Sequence, residues 1–141
     1  MKLYMHPIST ACRPVFLFAA DNKIAMDHEL VDLMTGAHMQ QPYASINPNS
    51  LVPMLEDGDF RLTESSAILK YLADKIGSPA YPKDLKQRAK VNEIMDWITA
   101  NSIASGVTIS VTRSCFRISS AAATRRRRRR LKSARRTPSA G

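Results

Sequence analysis

The 141-residue sequence contains few cysteines and no long apolar run. Its two cysteines, Cys12 and Cys115, lie far apart in the chain and so indicate no disulfide framework. The apolar segment at residues 15–20 is too short for a signal-peptide core or a membrane span, and acidic residues follow it. Metal-ligand spacings, a glycine-rich phosphate loop and internal repeats are also missing. These absences predict a cytoplasmic protein that uses no metal ion.

No acidic residue follows Asp96. Residues 1–96 contain ten lysines and arginines and twelve acidic residues, whereas residues 97–141 contain eleven basic residues. Six of these are consecutive arginines that begin at Arg125 and end at Arg130. Helical patterning stops near Asn101, and the sequence beyond it has little apolar surface to bury. We therefore predict that residues 102–141 form a disordered basic tail.

The most informative segment is residues 47–72, NPNSLVPMLEDGDFRLTESSAILKYL. A short apolar run ends in an acidic turn that contains Asp57 and Gly58, which is typical of a β-hairpin. Pro53 cannot donate to a strand ladder, so we expect it at the first residue of the strand, where a cis peptide bond is one way to hold Val52 extended. Val52 would then offer its backbone N–H and C=O groups to a peptide-like ligand.

The residues after this hairpin predict a helix with Thr63 as its N-cap and Gly77 at its end. Its apolar stripe consists of Ala67, Ile68, Leu69, Leu72 and Ile76. The free N–H groups and the dipole at the helix start favour a carboxylate, while the Glu64 side chain can take an ammonium group. One site would thus hold both ends of an amino acid, and an ordinary capped helix is the alternative.

The start of the chain predicts a strand at residues 2–6, followed by an apolar helix that carries Ser9 and Cys12 in an S-x-x-C pattern at its start. With the later Val-Pro pair, this is a thioredoxin-like pattern. Three motifs, LYMHPISTACRPV, GAHMQQPYASINPNSLVP and EDGDFRLTESSAILKYLADK, together resemble the N-terminal domain of the glutathione S-transferases. The resemblance is nearest to theta-like and bacterial members and covers residues 1 to about 100.

The resemblance implies an α/β fold with the element order β-α-β-α-β-β-α in residues 1–78, which would be the glutathione-binding domain. Residues 79–101 would form a linker and the first helix of an all-α second domain, for which Asp84 and Gln87 supply a capping box. The chain is too short for the rest of that domain. An intact family member would be a cytoplasmic homodimer that joins glutathione, its co-substrate, to small electrophiles in detoxification.

The resemblance also implies roles for single residues. Ser9 would donate a hydrogen bond to the sulfur of glutathione and stabilise its thiolate, the alternative being a simple N-cap of the first helix. The rest of glutathione would be held at its cysteinyl backbone by Val52 and Pro53, at its γ-glutamyl head by Glu64 and Ser65, and at its glycyl carboxylate by His38. A lone histidine after a Gly-Ala turn is more often simply solvated.

Three further positions qualify this interpretation. Leu51 stands where family members often have a lysine that helps to hold the glycyl carboxylate, so glutathione affinity is expected to be weaker. Cys12 would be a redox thiol or, more commonly at such a position, a packed small hydrophobe. Tyr4 lies inside the first strand, which favours core packing.

A shifted reading frame near Asn101 explains both the missing helices and the arginine run. Codons that the genetic code allows for residues 102–120, read one base earlier, give FYREWGYNLGYPQLFPHQQ, an aromatic-rich string typical of a helical domain. The alternatives to a shifted frame are a genuine tail that binds nucleic acid through the six arginines and a merely solvated tail. The alternatives to transferase function are an inactive glutathione-binding remnant and a basic protein that binds nucleic acid and uses the domain as a scaffold. Sequencing the coding DNA around codon 101 tests the frame hypothesis.

Overall fold

The computed structural model describes residues 1–102. The predictions of a disordered basic tail, of a shifted reading frame and of nucleic-acid contacts through Arg125 to Arg130 therefore lie outside the described residues. Ser102, which was assigned to the predicted tail, is still the last residue of a helix.

The described residues form a four-stranded sheet with helices on both faces, and the predicted β-α-β-α-β-β-α order is confirmed. The sheet has the strand order β2-β1-β3-β4, in which β1 and β2 are parallel and the other two pairs are antiparallel. The elements in chain order are β1 (Lys2–Met5), α1 (Arg13–Asp21), β2 (Asp27–Leu30), a short 3-10 helix (Ala37–Met39), α2 (Tyr43–Ile46), β3 (Met54–Asp57), β4 (Phe60–Thr63), α3 (Ser65–Lys75) and α4 (Leu85–Ser102).

The core is split by the sheet because successive strand side chains point to opposite faces. Leu3 and Met5 of β1 pack with α1 and α3 in a cluster that also contains Cys12, Val15, Phe18, Leu55, Ile68, Leu69, Leu72 and Ala73. Tyr4 points to the other face and packs with Val31, Tyr43 and Met54. The expectation that Tyr4 is a core residue is thus confirmed.

The β3–β4 hairpin turns at Gly58, whose φ is 67°, as the Asp-Gly pair predicts. Its last β3 residue, Asp57, is fixed to α3: the Tyr71 hydroxyl donates to Asp57 Oδ2 over 2.6 Å, and Lys75 forms an ion pair with the same oxygen. Hydrogen bonding from Lys75, with that from Tyr71, lowers the pKa of Asp57. The hairpin is therefore joined to the helix by an ionised carboxylate.

This junction predicts an acid-dependent part of the stability. A carboxyl group whose pKa is lowered by folding stabilises the fold above its unfolded pKa of about 3.9, and that contribution is lost as the pH falls through the lower folded value. Replacing Asp57 by asparagine should remove this part, so that the melting temperatures of wild type and Asp57→Asn converge as the pH falls from 6 towards 3. Asp59→Asn, at an exposed turn position, is the matched control. Equal acid dependence in all three chains would contradict the role of Asp57.

Helix α4 is held against α3 by polar contacts around Arg88. Its guanidinium donates from Nη2 to Asp74 Oδ1 over 2.8 Å and from Nε to the Pro82 carbonyl over 2.8 Å, and it lies 4.3 Å from the ring centre of Tyr81. Asp84 accepts the Gln87 N–H over 3.0 Å, which is one of the two hydrogen bonds of the predicted capping box. Asp74 lies near the end of α3, so these contacts fix the first turns of α4 to the end of α3. Within residues 1–102, none of the helices combines the length and apolarity of a bilayer span.

Candidate functional site

A cavity of about 390 Å³ lies between the start of α1, the loop before β3, the start of α3 and the facing side of α4. The α4 side is largely apolar and consists of Val91, Ile94, Met95, Ile98 and Thr99. The side formed by the loop before β3 and the start of α3 carries most of the polar lining residues, which are Asn47, Asn49, Thr63, Glu64, Ser65 and Ser66, beside apolar ones. We call the side formed by the loop before β3 and the start of α3 the polar wall, and the α4 side the apolar wall.

Four of the six predicted site residues line this cavity together: Val52, Pro53, Glu64 and Ser65. Ser9 is not among its lining residues, although its neighbours Thr10 and Ala11 are. The β3–β4 hairpin thus brings the Val-Pro pair before it and the start of α3 after it to one wall. Ser9 lies in the turn that leads to this wall.

The Val52–Pro53 peptide bond is cis, the arrangement that the sequence analysis gave as one way to hold Val52 extended. Pro53 precedes β3 by one residue instead of being its first residue, because ladder pairing begins at Met54. Among the residues that the structure describes, none forms a hydrogen bond with the backbone N–H or C=O of Val52. Since Val52 lines the cavity, this donor and acceptor are available to a ligand.

The start of α3 differs from the prediction at one residue. Thr63 was predicted to be the N-cap, but β4 pairs with β3 through Thr63, opposite Met54, so the chain leaves the sheet only at Glu64. Glu64 is the N-cap, with φ 67° and ψ 116° and no side-chain cap hydrogen bond. The first N–H groups of α3 therefore lack both an intrahelical and a side-chain partner. They and the exposed Glu64 carboxylate face the same cavity.

Ser9 lies before α1, whose N-cap position is taken by Cys12. The Ser9 hydroxyl oxygen accepts the Cys12 N–H over 3.3 Å, so Ser9 anchors the turn without being the N-cap itself. A serine hydroxyl that accepts one hydrogen bond can still donate its own proton. Burial raises the pKa of the Cys12 thiol, against opposing hydrogen bonds from Ser9 and from the His6 backbone. Cys12 is completely buried in the core cluster, which fits a packing role.

His38 is not among the residues that line the cavity. It belongs to the 3-10 helix Ala37–Met39, and its Nδ1 atom is buried without a hydrogen-bond partner within residues 1–102. Its expected contact with the glycyl carboxylate stays a prediction. No cluster of three or more His, Cys, Asp or Glu side chains that could hold a metal ion occurs in this part of the chain.

Sequence reasoning missed two polar residues at the polar wall: Asn47, which lines the cavity, and Tyr43, which does not. Both are buried, and both donate hydrogen bonds to the carbonyl oxygen of Leu51. The only signal was the Asn-Pro pair at Asn47, which favours a turn. Lys70 and Tyr81, which also line the cavity, carried no sequence signal.

Comparison with known proteins agrees with this arrangement. Residues 1–74, more than half of the chain, match the family described as Glutathione S-transferase, N-terminal domain. The chain belongs to the glutathione S-transferase family. It is 46% identical over 99 residues to glutathione S-transferase theta-1 of Homo sapiens, an alignment that covers 69% of this chain and 41% of that protein. The chain thus spans about two fifths of the length of this transferase.

Two solved human transferases are similar in both sequence and fold. One is glutathione transferase theta-2 in complex with glutathione and an unknown ligand, 42% identical with a TM-score of 0.67, covering 70% of this chain and 42% of that one. The other is a theta-class transferase in complex with the glutathione conjugate of 1-menaphthyl sulfate, 42% identical with a TM-score of 0.66, covering 70% of this chain and 41% of that one. The similarity therefore extends over the described sheet and helices.

Proposed function

We propose that the described domain binds glutathione in the cavity between α3 and α4, and that it belongs to a cytoplasmic transferase acting on electrophilic compounds. The observation that carries the proposal is the free backbone N–H and C=O pair of Val52, which lines the same cavity as the start of α3. A peptide-like ligand needs such a pair, and an amino-acid end group needs a helix N-terminus and a carboxylate. Glutathione combines both requirements in one molecule.

The polar wall fits the chemistry of glutathione group by group. The Val52 backbone would pair with the cysteinyl residue beside Pro53. The unpartnered N–H groups of the first turn of α3, which begins at Ser65, would take the carboxylate of the γ-glutamyl head, and Glu64 its ammonium group. The glycyl carboxylate has no cation at position 51, where Leu51 is 62% exposed. This fits the weaker affinity expected from the sequence.

The apolar wall of α4 would face the electrophile. Its exposed part includes Ile94, which is 41% exposed. An apolar surface beside the cysteinyl position favours electrophiles with an apolar body. Attack of the glutathione thiolate on an electrophilic carbon would form the carbon–sulfur bond, while the bond from that carbon to its leaving group breaks. The relative that holds a glutathione conjugate supports this reaction class.

We propose that Ser9 stabilises the thiolate and is not itself the nucleophile. A thiol with a pKa near 8.5 is mostly protonated at neutral pH, so one hydrogen bond to the anion raises the concentration of the attacking species. Removing such a bond, worth about 1.5–3 kcal/mol, should raise the pKa of the bound thiol by about one to two units.

The test is a pH titration of the ultraviolet thiolate absorbance of glutathione bound to the 141-residue chain. The bound thiol is expected to titrate at a higher pH in Ser9→Ala than in wild type. Thr10→Val, which removes a neighbouring hydroxyl that lines the cavity, should leave that pKa unchanged. An unchanged pKa in Ser9→Ala would show that the assigned role is wrong.

A further inference from the structure

The carbonyl oxygen of Leu51 is held by two buried donors. The Tyr43 hydroxyl donates to it over 2.6 Å, and Asn47 Nδ2 donates to it over 2.8 Å. Tyr43 is 5% exposed and Asn47 is 3% exposed, although Leu51 itself is a largely exposed loop residue. A single loop carbonyl thus uses both of its acceptor sites on side chains of the core.

Asn47 also fixes the turn that leads to Leu51. Its Oδ1 accepts the Asn49 N–H over 3.1 Å, and its backbone carbonyl accepts the Ser50 N–H over 2.9 Å. Ser50 then adopts a φ of 53°, which non-glycine residues rarely adopt. Burial raises the pKa of Tyr43, so its phenol stays a protonated donor. The Asn49 and Ser50 N–H groups and the Leu51 carbonyl are therefore all paired with Tyr43 or Asn47.

The Leu51–Val52 peptide is trans, so its carbonyl and the N–H of Val52 point in opposite directions within one plane. Holding the carbonyl towards the core therefore turns the N–H away from the core. This N–H has no acceptor within residues 1–102, and Val52 lines the cavity. We propose that Tyr43 and Asn47 are positioning residues that aim the Val52 N–H at the carbonyl oxygen of the cysteinyl residue of glutathione. This inference rests on the proposed function.

The test is a thermodynamic cycle that combines two changes: Tyr43→Phe in the protein and removal of the cysteinyl carbonyl from the ligand. The substitution removes only the hydroxyl and keeps the ring that packs against Tyr4, with ring centres 5.7 Å apart. The probes are S-methylglutathione and its (E)-alkene isostere at the cysteinyl–glycine amide, which lacks the carbonyl acceptor. Calorimetric titration of the 141-residue chain gives the four affinities. A positioning role predicts that Tyr43→Phe lowers the affinity for S-methylglutathione about three- to tenfold. It should lower the affinity for the isostere much less.

Tyr71→Phe is the matched control, because it also removes one phenol hydrogen bond but lies outside the cavity lining. It should leave both affinities unchanged. Asn47→Asp, which keeps an acceptor for Asn49 but removes the amide donor, should act in the same direction as Tyr43→Phe. Equal weakening of both probes by Tyr43→Phe would overturn the inference, since a general loss of structure does not distinguish them.

A second readout does not depend on ligand binding. The carbon-13 shift of the Leu51 carbonyl, measured on the free chain, should move upfield in Tyr43→Phe because one hydrogen bond to that oxygen is lost. An unchanged shift would overturn the inference by itself. If the wild-type chain failed to bind S-methylglutathione, the proposed function would be contradicted, and the carbonyl shift would still decide whether Tyr43 orients this peptide.

Discussion

Replacing Leu72 by alanine is expected to lower the free energy of unfolding by about 2–5 kcal/mol. Leu72 is 0% exposed and lies on the α3 face that packs with Leu3, Val15 and Leu55. The substitution removes its transfer free energy and leaves a cavity that rigid neighbours from β1, β3 and α1 fill only partly. Because a domain of this size has a total stability of about 5–15 kcal/mol, the loss is a large part of the whole.

Urea unfolding followed by far-ultraviolet circular dichroism measures this loss. Leu85→Ala is the matched control, because Leu85 is also a helical leucine but is 81% exposed. Its expected change is within about 0.5 kcal/mol of zero. Similar losses in the two variants would mean that α3 does not pack on the sheet as described.

The sequence was sufficient to predict those parts of the fold that depend on local signals. The Asp57-Gly58 turn, the cap at Asp84 and the helix end at Gly77 each need only a few neighbouring residues. All three occur where they were predicted. The thioredoxin-like arrangement followed from the family resemblance, since periodicity does not determine strand order.

The start of α3 could not be predicted in the same way. Thr63 is a good N-cap by residue type, but pairing with Met54 extends β4 through it. The helix then begins after a glutamate with a φ of 67°, a conformation that local propensity disfavours. Strand pairing in the tertiary structure determines where this helix begins. The candidate site also depends on tertiary contacts that the sequence does not reveal. The buried donors that hold the Leu51 carbonyl become visible only when α2 packs beneath the loop.

Substitutions of Glu64 are expected to give the second large effect. The backbone conformation of Glu64 lowers the stability of the fold, whereas its side chain is expected to increase the affinity for the ligand. A non-glycine residue at φ 67° and ψ 116° is strained, at a cost of about 1–3 kcal/mol. Strain that persists at the mouth of a cavity is consistent with a functional position. We expect Glu64→Gly to be more stable than Glu64→Ala, because glycine adopts this conformation without the penalty that alanine keeps.

Both variants lose the carboxylate that would pair with the ammonium group of the γ-glutamyl head. Such a charge-assisted bond is worth about 1.5–3 kcal/mol, so the affinity for S-methylglutathione should fall at least about tenfold in both. Stability and affinity thus change independently. Glu64→Gly should melt at a higher temperature than Glu64→Ala and still bind S-methylglutathione weakly. Thermal melting and calorimetric titration of the same samples measure the two effects.

Glu93→Ala is the control for the loss of one negative charge. Glu93 pairs with Lys90 on the exposed side of α4 and does not line the cavity, so its removal should leave the affinity for S-methylglutathione unchanged. If Glu64→Ala bound the ligand as well as wild type, the γ-glutamyl head would not lie at the start of α3. If Glu64→Gly were less stable than Glu64→Ala, the positive φ of Glu64 would not be a strained conformation.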